Sequence, residues 1–371
     1  MKRTALPLLL LAISALLAGM YGGLARLGFV LPVGNGALII DHGSLMVCGF
    51  FGSLIALERA MALRSGWAML APALTAIGTL AAVFWPTPGM ILMIAGAGLL
   101  TLASLQVYRI QPAPFNAFLV IAVLGLLAGD LVLWYSHAPW LAVPGWMVFL
   151  VLTIAGERLE LTRLMPKAQQ AARRAWLPLS MLVTGAILAV FWYATILGLG
   201  LLNVALWLMR EDIARRNLRQ HGLTRYIAAC LLSGYAWLAL AGALLAWHGA
   251  QPFVPGMPHY DAVLHMVFIG FVVGMVFGHA PIIIPALTGC RLRYRPMFYA
   301  PLALLQITLL LRVVGDLAHW PAVRQAGGML NVATLLFFAV LILTSITRRA
   351  PVAPRAAPSA NARPASPHAG P

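Results

Sequence analysis

Charge is what this 371-residue chain has least of. Only 9% of its residues are Asp, Glu, Lys or Arg, against 62% hydrophobic, and there are nine acids in all. A soluble domain of this length could not cover its surface with so few charges. Strict alternation of apolar and polar residues is missing, which excludes a membrane β-barrel. Three cysteines, Cys48, Cys230 and Cys290, stand apart with no CxxC spacing. They form neither a disulfide framework nor a zinc signature. There is no Gly-rich phosphate loop, no GxSxG and no pair of carboxylates facing a cleft. Loops are short and no internal repeat is evident, so no second soluble domain is expected.

Long apolar runs are what the chain has instead, with a mean hydropathy of +0.90. A helix needs about 20 apolar residues to cross the hydrocarbon. Such runs fall near residues 5–27, 38–58, 66–86, 89–108, 115–135, 140–162, 176–192, 194–210, 224–248, 260–286, 296–317 and 327–347. The boundary at 192–194 is the weakest, because FWYAT can be read through. The fold class expected is all-α integral membrane, a bundle of about 12 transmembrane helices in a lipid bilayer. Residues 1–349 form the membrane domain, and the Pro/Ala-rich stretch 350–371 reads as a disordered cytoplasmic tail. MKRTALPLLLLAISALLAGM has the make-up of a signal peptide. Counted as a retained first helix, it keeps the charge alternation of every later loop.

The net charge of +16 first raises nucleic acid as a partner. Its placement argues for none. Cytoplasmic loops of membrane proteins carry the Lys and Arg excess. With the N-terminus inside, 22 of the 25 basic residues fall on one side. The exceptions are Arg26 and Arg324 outside and Arg312 within a span. The reading is therefore N-in/C-in, in the inner (cytoplasmic) membrane.

Two spans carry a histidine at nearly the same depth. His42 lies in LIIDHGSLMVCGFFGSLIALERA and His265 in DAVLHMVFIGFVVGMVFGHAPIIIPA, each about one turn inside its helix. An ionisable residue within a membrane span is a functional candidate by default. Two on different helices at one depth are placed to ligate one haem. Gly43, Gly49, Gly270 and Gly274 remove bulk beside them, for a flat macrocycle or for close helix packing. The bland alternative is two unrelated histidines bonding across helices. Arg312, in LLQITLLLRVVGDLAHW, falls at the same depth, where outward propionates would need a cation. An i,i+4 pair with Asp316 is the other account of it, and both can hold.

His279 follows His265 by 14 residues, about 21 Å further along the helix. It cannot share a metal with His265. Its GHAP context implies that the helix ends or kinks at Pro281. His279 is then a second metal site or a polar residue satisfying backbone freed there. Glu157, Arg158, Glu160 and Arg163 read as an interfacial charge cluster or as part of a proton or ion path. Met46, Met266 and Met275 are soft-ligand candidates for copper or simply packing.

DHGSLMVCGF and LHMVFIGFVVGMVFGH, together with the arginine of the eleventh span, resemble the NnrS family of haem- and copper-containing membrane proteins. That family is distantly related to the catalytic subunit of haem–copper oxidases. The resemblance implies haem, with copper as a second cofactor, and a role in nitric oxide or nitrosative stress or in respiratory metabolism. It makes respiratory-chain proteins candidate partners. The departures are plain. His265 lacks the His-x-His neighbour of the oxidases, and the sixth and seventh spans contain no histidine for copper. Leu45 stands where NnrS proteins tend to carry an acid. An incomplete oxygen-reducing centre is therefore expected, with any enzymatic activity undecided. The alternatives are a small-molecule or metal/haem transporter using Glu157, Asp130 and His279, or an assembly partner of a respiratory complex.

Overall fold

The computed structural model describes residues 2–32, 36–163, 165 and 168–347. The tail expected from residue 350 lies outside the described residues. Helices account for nearly everything else, and they stand where the apolar runs stand. In chain order they are α1 (Lys2–Arg26), α2 (Gly36–Ile40), α3 (His42–Leu63), α4 (Trp67–Ala82) and α5 (Pro86–Ile110). Next come α6 (Pro114–Ser136), α7 (Pro139–Thr162), α8 (Ala168–Val190), α9 (Thr195–Glu211) and α10 (Ala214–Asn217). The last are α11 (Gly222–His248), α12 (Pro258–Ala286), α13 (Pro296–Leu317) and α14 (Pro321–Ser345).

Among the described residues, ten of these are long and apolar enough to cross a membrane. Of the 12 expected spans, the remaining two coincide with α4 and α9, which are shorter. The 192–194 boundary is a real break: α8 stops at Val190, Trp192 takes a left-handed φ of 75°, and α9 begins at Thr195.

Local sequence explains where helices start. Six of them, α5, α6, α7, α12, α13 and α14, open on a proline. Its fixed φ suits the first turn, and its missing N–H would have had no helical partner there. Consecutive helices fold back as hairpins, with α4 on α5, α6 on α7, α8 on α9 and α13 on α14; α9 also packs along α11. Small residues permit this. A Cβ on Gly198 would stand 2.3 Å from the backbone N of Ala246, and one on Gly242 would stand 2.4 Å from that of Leu202. Close backbone approach of this kind is how membrane helices gain dispersion contact.

Two π-helical stretches interrupt the bundle. Leu45–Gly52 follows His42 within α3, and Met266–Val273 follows His265 within α12. Each residue added to a helical turn rotates the remainder of the helix by about 100°, and such segments gather at functional sites. By contrast, α12 does not end at Pro281. The chain stays helical through Pro281 and Pro285 to Thr288, where Gly289 caps it in the left-handed region (φ 77°). The expected helix end at GHAP is corrected: the helix continues past it, and a π segment lies about two turns earlier.

Candidate haem site between two histidine helices

His42, His265 and Arg312 line one cavity of about 290 Å³. Its wall is otherwise largely apolar, with Met46, Phe51, Trp146, Leu264 and Phe268 among the lining residues. The volume sits just below the roughly 300–1,000 Å³ common for small-molecule and cofactor pockets.

Each imidazole is held through Nδ1. His265 Nδ1 is 2.6 Å from the carbonyl O of Asp261, one turn back on its own helix. His42 has no regular turn behind it, because the helix is interrupted at Asp41. Its Nδ1 reaches instead across to α1, 2.6 Å from Gly19 O. A carbonyl can only accept, so Nδ1 carries the proton in both rings and Nε2 keeps its lone pair. This is the arrangement that fixes the tautomer and the ring angle of metal-bound histidine. It is not unique to these two, since His279 Nδ1 lies 2.7 Å from Met275 O and His248 Nδ1 lies 3.2 Å from Leu244 O.

Three glycines bring α1 this close. A Cβ on Gly22 would fall 2.1 Å from Leu38 O, and one on Gly23 would fall 2.8 Å from His42 Cε1. Gly19, the third, supplies the carbonyl. The i, i+3, i+4 spacing of Gly19, Gly22 and Gly23 puts them on one helical face. That spacing was the sequence signal for this contact.

The glycines flanking the histidines divide by role. Gly43 lines the cavity with only Trp146 Cζ3 at 4.0 Å. Gly49 serves packing, since a Cβ there would meet Ala15 at 2.7 Å. Gly270 serves packing too, with Trp237 Cγ at 2.5 Å. Close packing therefore accounts for Gly49 and Gly270, whereas Gly43 borders open space in the cavity.

At one end of the cavity stands a cluster of five charges. Arg312, 3% exposed, approaches Asp261 Oδ2 at 3.9 Å and Asp316 Oδ2 at 3.4 Å. Arg324 reaches Asp261 Oδ2 at 3.2 Å and Asp316 Oδ1 at 3.1 Å, and Arg26 reaches Asp261 Oδ1 at 3.7 Å. The three arginines that break the inside-basic pattern thus converge on two carboxylates, with one positive charge in excess. Arg312 Nε and Nη1 are buried and donate no hydrogen bond among the described residues. A second pocket of about 430 Å³ lies beyond this cluster and shares Arg26 and Asp261 with the first. The i,i+4 pair of Arg312 with Asp316 exists and runs through Nε, and it leaves Nη1 without a partner among the described residues.

These features fit a haem. Two imidazoles with Nδ1 tied to carbonyls line one largely apolar space, a glycine leaves room on its wall, and a buried guanidinium keeps Nη1 without a partner. Among the described residues no three His, Cys, Asp or Glu side chains gather as a metal group.

The other residues singled out by sequence lie elsewhere. His279, Asp130 and Glu157 do not line the cavity. Asp130, 1% exposed, accepts from Trp146 Nε1 at 3.0 Å and from the Cys48 thiol at 3.4 Å. It thereby fixes the indole that walls the cavity. Glu157 faces Arg59 at 3.9 Å, while its neighbour Arg158 turns inward to Asp212 at 3.6 Å. Asp212 also accepts from Tyr235 OH at 2.5 Å. His279 bonds Met275 O and not Phe277 O, the carbonyl that Pro281 leaves without a donor. Met46 packs on α1, where a Cβ on Gly19 would meet its Cγ at 2.9 Å.

Against solved structures, the bundle has the fold seen in a cryo-EM structure of a heme-copper terminal oxidase dimer. The TM-score is 0.61 over 93% of this chain and 84% of that one, at 13% identity, so the likeness is one of fold. The chain itself belongs to the family described as "Domain of unknown function (DUF8744)", whose model matches residues 5–347. No curated protein matches it.

Proposed function

We propose that this protein binds one haem between His42 and His265 as axial ligands, with Arg312 at the propionates. One observation carries the reading. Two histidines on separate helices, each with Nδ1 tied to a carbonyl, share a largely apolar cavity with a buried arginine whose Nη1 has no partner. A haem held this way supplies one-electron redox chemistry. The chain's own residues do the rest. Gly19 and Asp261 carbonyls orient the rings, and the apolar wall excludes water. The arginine cluster offsets the charge of carboxylates brought to it.

The same reading makes the bundle a 12-span protein of the inner membrane with both termini inside. The basic residues support it, as do α4 and α9, which run alongside full-length neighbours. One end of α9 meets α11 through Ala194 N to Gly249 O at 3.3 Å, and the other meets α8 through Arg174 and Glu211 at 2.9 Å. The resemblance to NnrS, carried by the two histidine segments, supports a role in nitric oxide or nitrosative stress or in respiratory metabolism, with respiratory-chain proteins as partners. Oxygen reduction is not part of the proposal, and neither is copper. His279 is read as a packing histidine of the opposite half and not as a metal ligand.

The test is haem content per chain. Wild type and His279→Ala should hold about one haem each, and His42→Ala and His265→Ala should hold little or none while still inserting in the membrane. Equal haem in all four would refute the ligand assignment.

A further inference from the structure

Asn331, on α14, lines the same cavity and is 2% exposed. One end of its amide is 2.7 Å from the Thr308 hydroxyl on α13, and the other end has no partner. The Thr308 hydroxyl also stands 2.8 Å from Leu304 O, and it has only one proton. If that proton goes to Leu304 O, the common back-bond of a helical Thr, the Asn331 amide donates to Thr308 and its unpaired end is the carbonyl. If it goes to Asn331, the unpaired end is the NH2 group. In either orientation one buried polar atom at the cavity wall is unsatisfied, which disfavours the empty state.

The level of this atom is set by helix geometry. Asp261 and Arg312 meet across the charge cluster. His265 lies four residues beyond Asp261, and Thr308 lies four residues from Arg312 on an antiparallel helix. Both steps lead about 6 Å away from the cluster. Asn331, bonded to Thr308, therefore stands level with the histidine and one turn from the arginine. Its lining neighbours on α14, Gly328, Val332 and Leu335, are apolar.

We propose that Asn331 recognises an oxygen-bearing substituent on the edge of the ring, a formyl or hydroxyl group. The haem this protein takes is then one whose periphery carries such a group and not only methyl and vinyl arms. The propionates are accounted for one turn away, at Arg312. A formyl oxygen takes a hydrogen bond from the amide NH2, and a hydroxyl gives one to the amide carbonyl, so both amide orientations lead to the same class. This inference rests on the haem reading above and adds the cofactor's type to it.

The experiment uses protein purified from its own host's membranes. Its haem is extracted for mass measurement, and the intact protein is examined by resonance Raman. The expected mass is that of a formyl- or hydroxyalkyl-bearing haem. Asn331→Leu and Asn331→Ala should move the band of that substituent and weaken haem retention roughly two- to tenfold, as loss of one hydrogen bond would. The imidazole-ligated electronic spectrum should persist in both. A haem bearing only methyl, vinyl and propionate groups overturns this proposal and leaves the axial-ligand reading standing. A substituent band unmoved in both variants does the same. Protein without any haem overturns both.

Discussion

Arg312 shows how a single side chain serves two demands at once. Its salt bridge to Asp316 lowers the penalty for a charge within a span, and its remaining donors stay available to a ligand. Replacing it by glutamine keeps some hydrogen bonding and removes the charge. Hydrogen bonds to charged groups are worth about 1.5–3 kcal/mol. We expect Arg312→Gln to weaken haem retention on the order of tenfold to a hundredfold, measured by haem transfer to an acceptor protein. Unchanged retention would remove Arg312 from the site. Gly23 sits under the opposite constraint. A Cβ there would press on His42 Cε1 at 2.8 Å, and overpacking of this kind costs about 1–3 kcal/mol. Gly23→Ala should shift the His42 ring, alter the axial-ligand spectrum and leave the chain in the membrane. An unaltered spectrum would mean that α1 does not position the ring.

At the scale of elements, each histidine is followed by a π segment, which changes its rotation about the helix relative to the residues beyond. Each begins within three residues of its histidine. Deleting Val47 would return α3 to α-helical register and turn His42 by about 100° relative to the rest of the helix. We expect a protein that inserts and stays helical by circular dichroism but holds no haem. Retained haem would show that the π segment is incidental. These segments were not legible in the sequence. Hydropathy and depth counting put His42, His265 and Arg312 at one level, and the three do line one cavity. Neither method reports an inserted residue in a helical turn. Pro281 misled for a related reason. A proline inside a helix costs about 3 kcal/mol, yet packing holds the helix through two of them. Asp261 was legible only as an acid near a helix end. Its three arginines come from α1, α13 and α14, and no spacing rule joins residues that far apart in the chain. Asn331 carried no signal at all, since one amide within a span is ordinary.

For the whole molecule, the placement of basic residues makes the strongest sequence argument. It orients every span at once, where each polar residue within a span informs only its own surroundings. A reporter fused after residue 371 should report the cytoplasm, and one placed in the loop between α1 and α2 should report the other side. Opposite results would invert the account of the charge cluster as an outward-facing feature. The fold likeness to a heme-copper terminal oxidase dimer invites an oxygen-reduction test. With no histidine on α7 or α8, and imidazole the ligand copper prefers at such sites, the purified protein should show no cyanide-sensitive oxygen uptake. Uptake that tracks the protein through purification would overturn that expectation.

Near-infrared magnetic circular dichroism of the purified, oxidised protein tests the central claim most directly, because the position of its charge-transfer band reports the pair of axial ligands. The account predicts a single low-spin haem with two imidazole ligands, lost in His42→Ala and in His265→Ala. A five-coordinate or histidine–methionine haem, or a colourless protein, would contradict it.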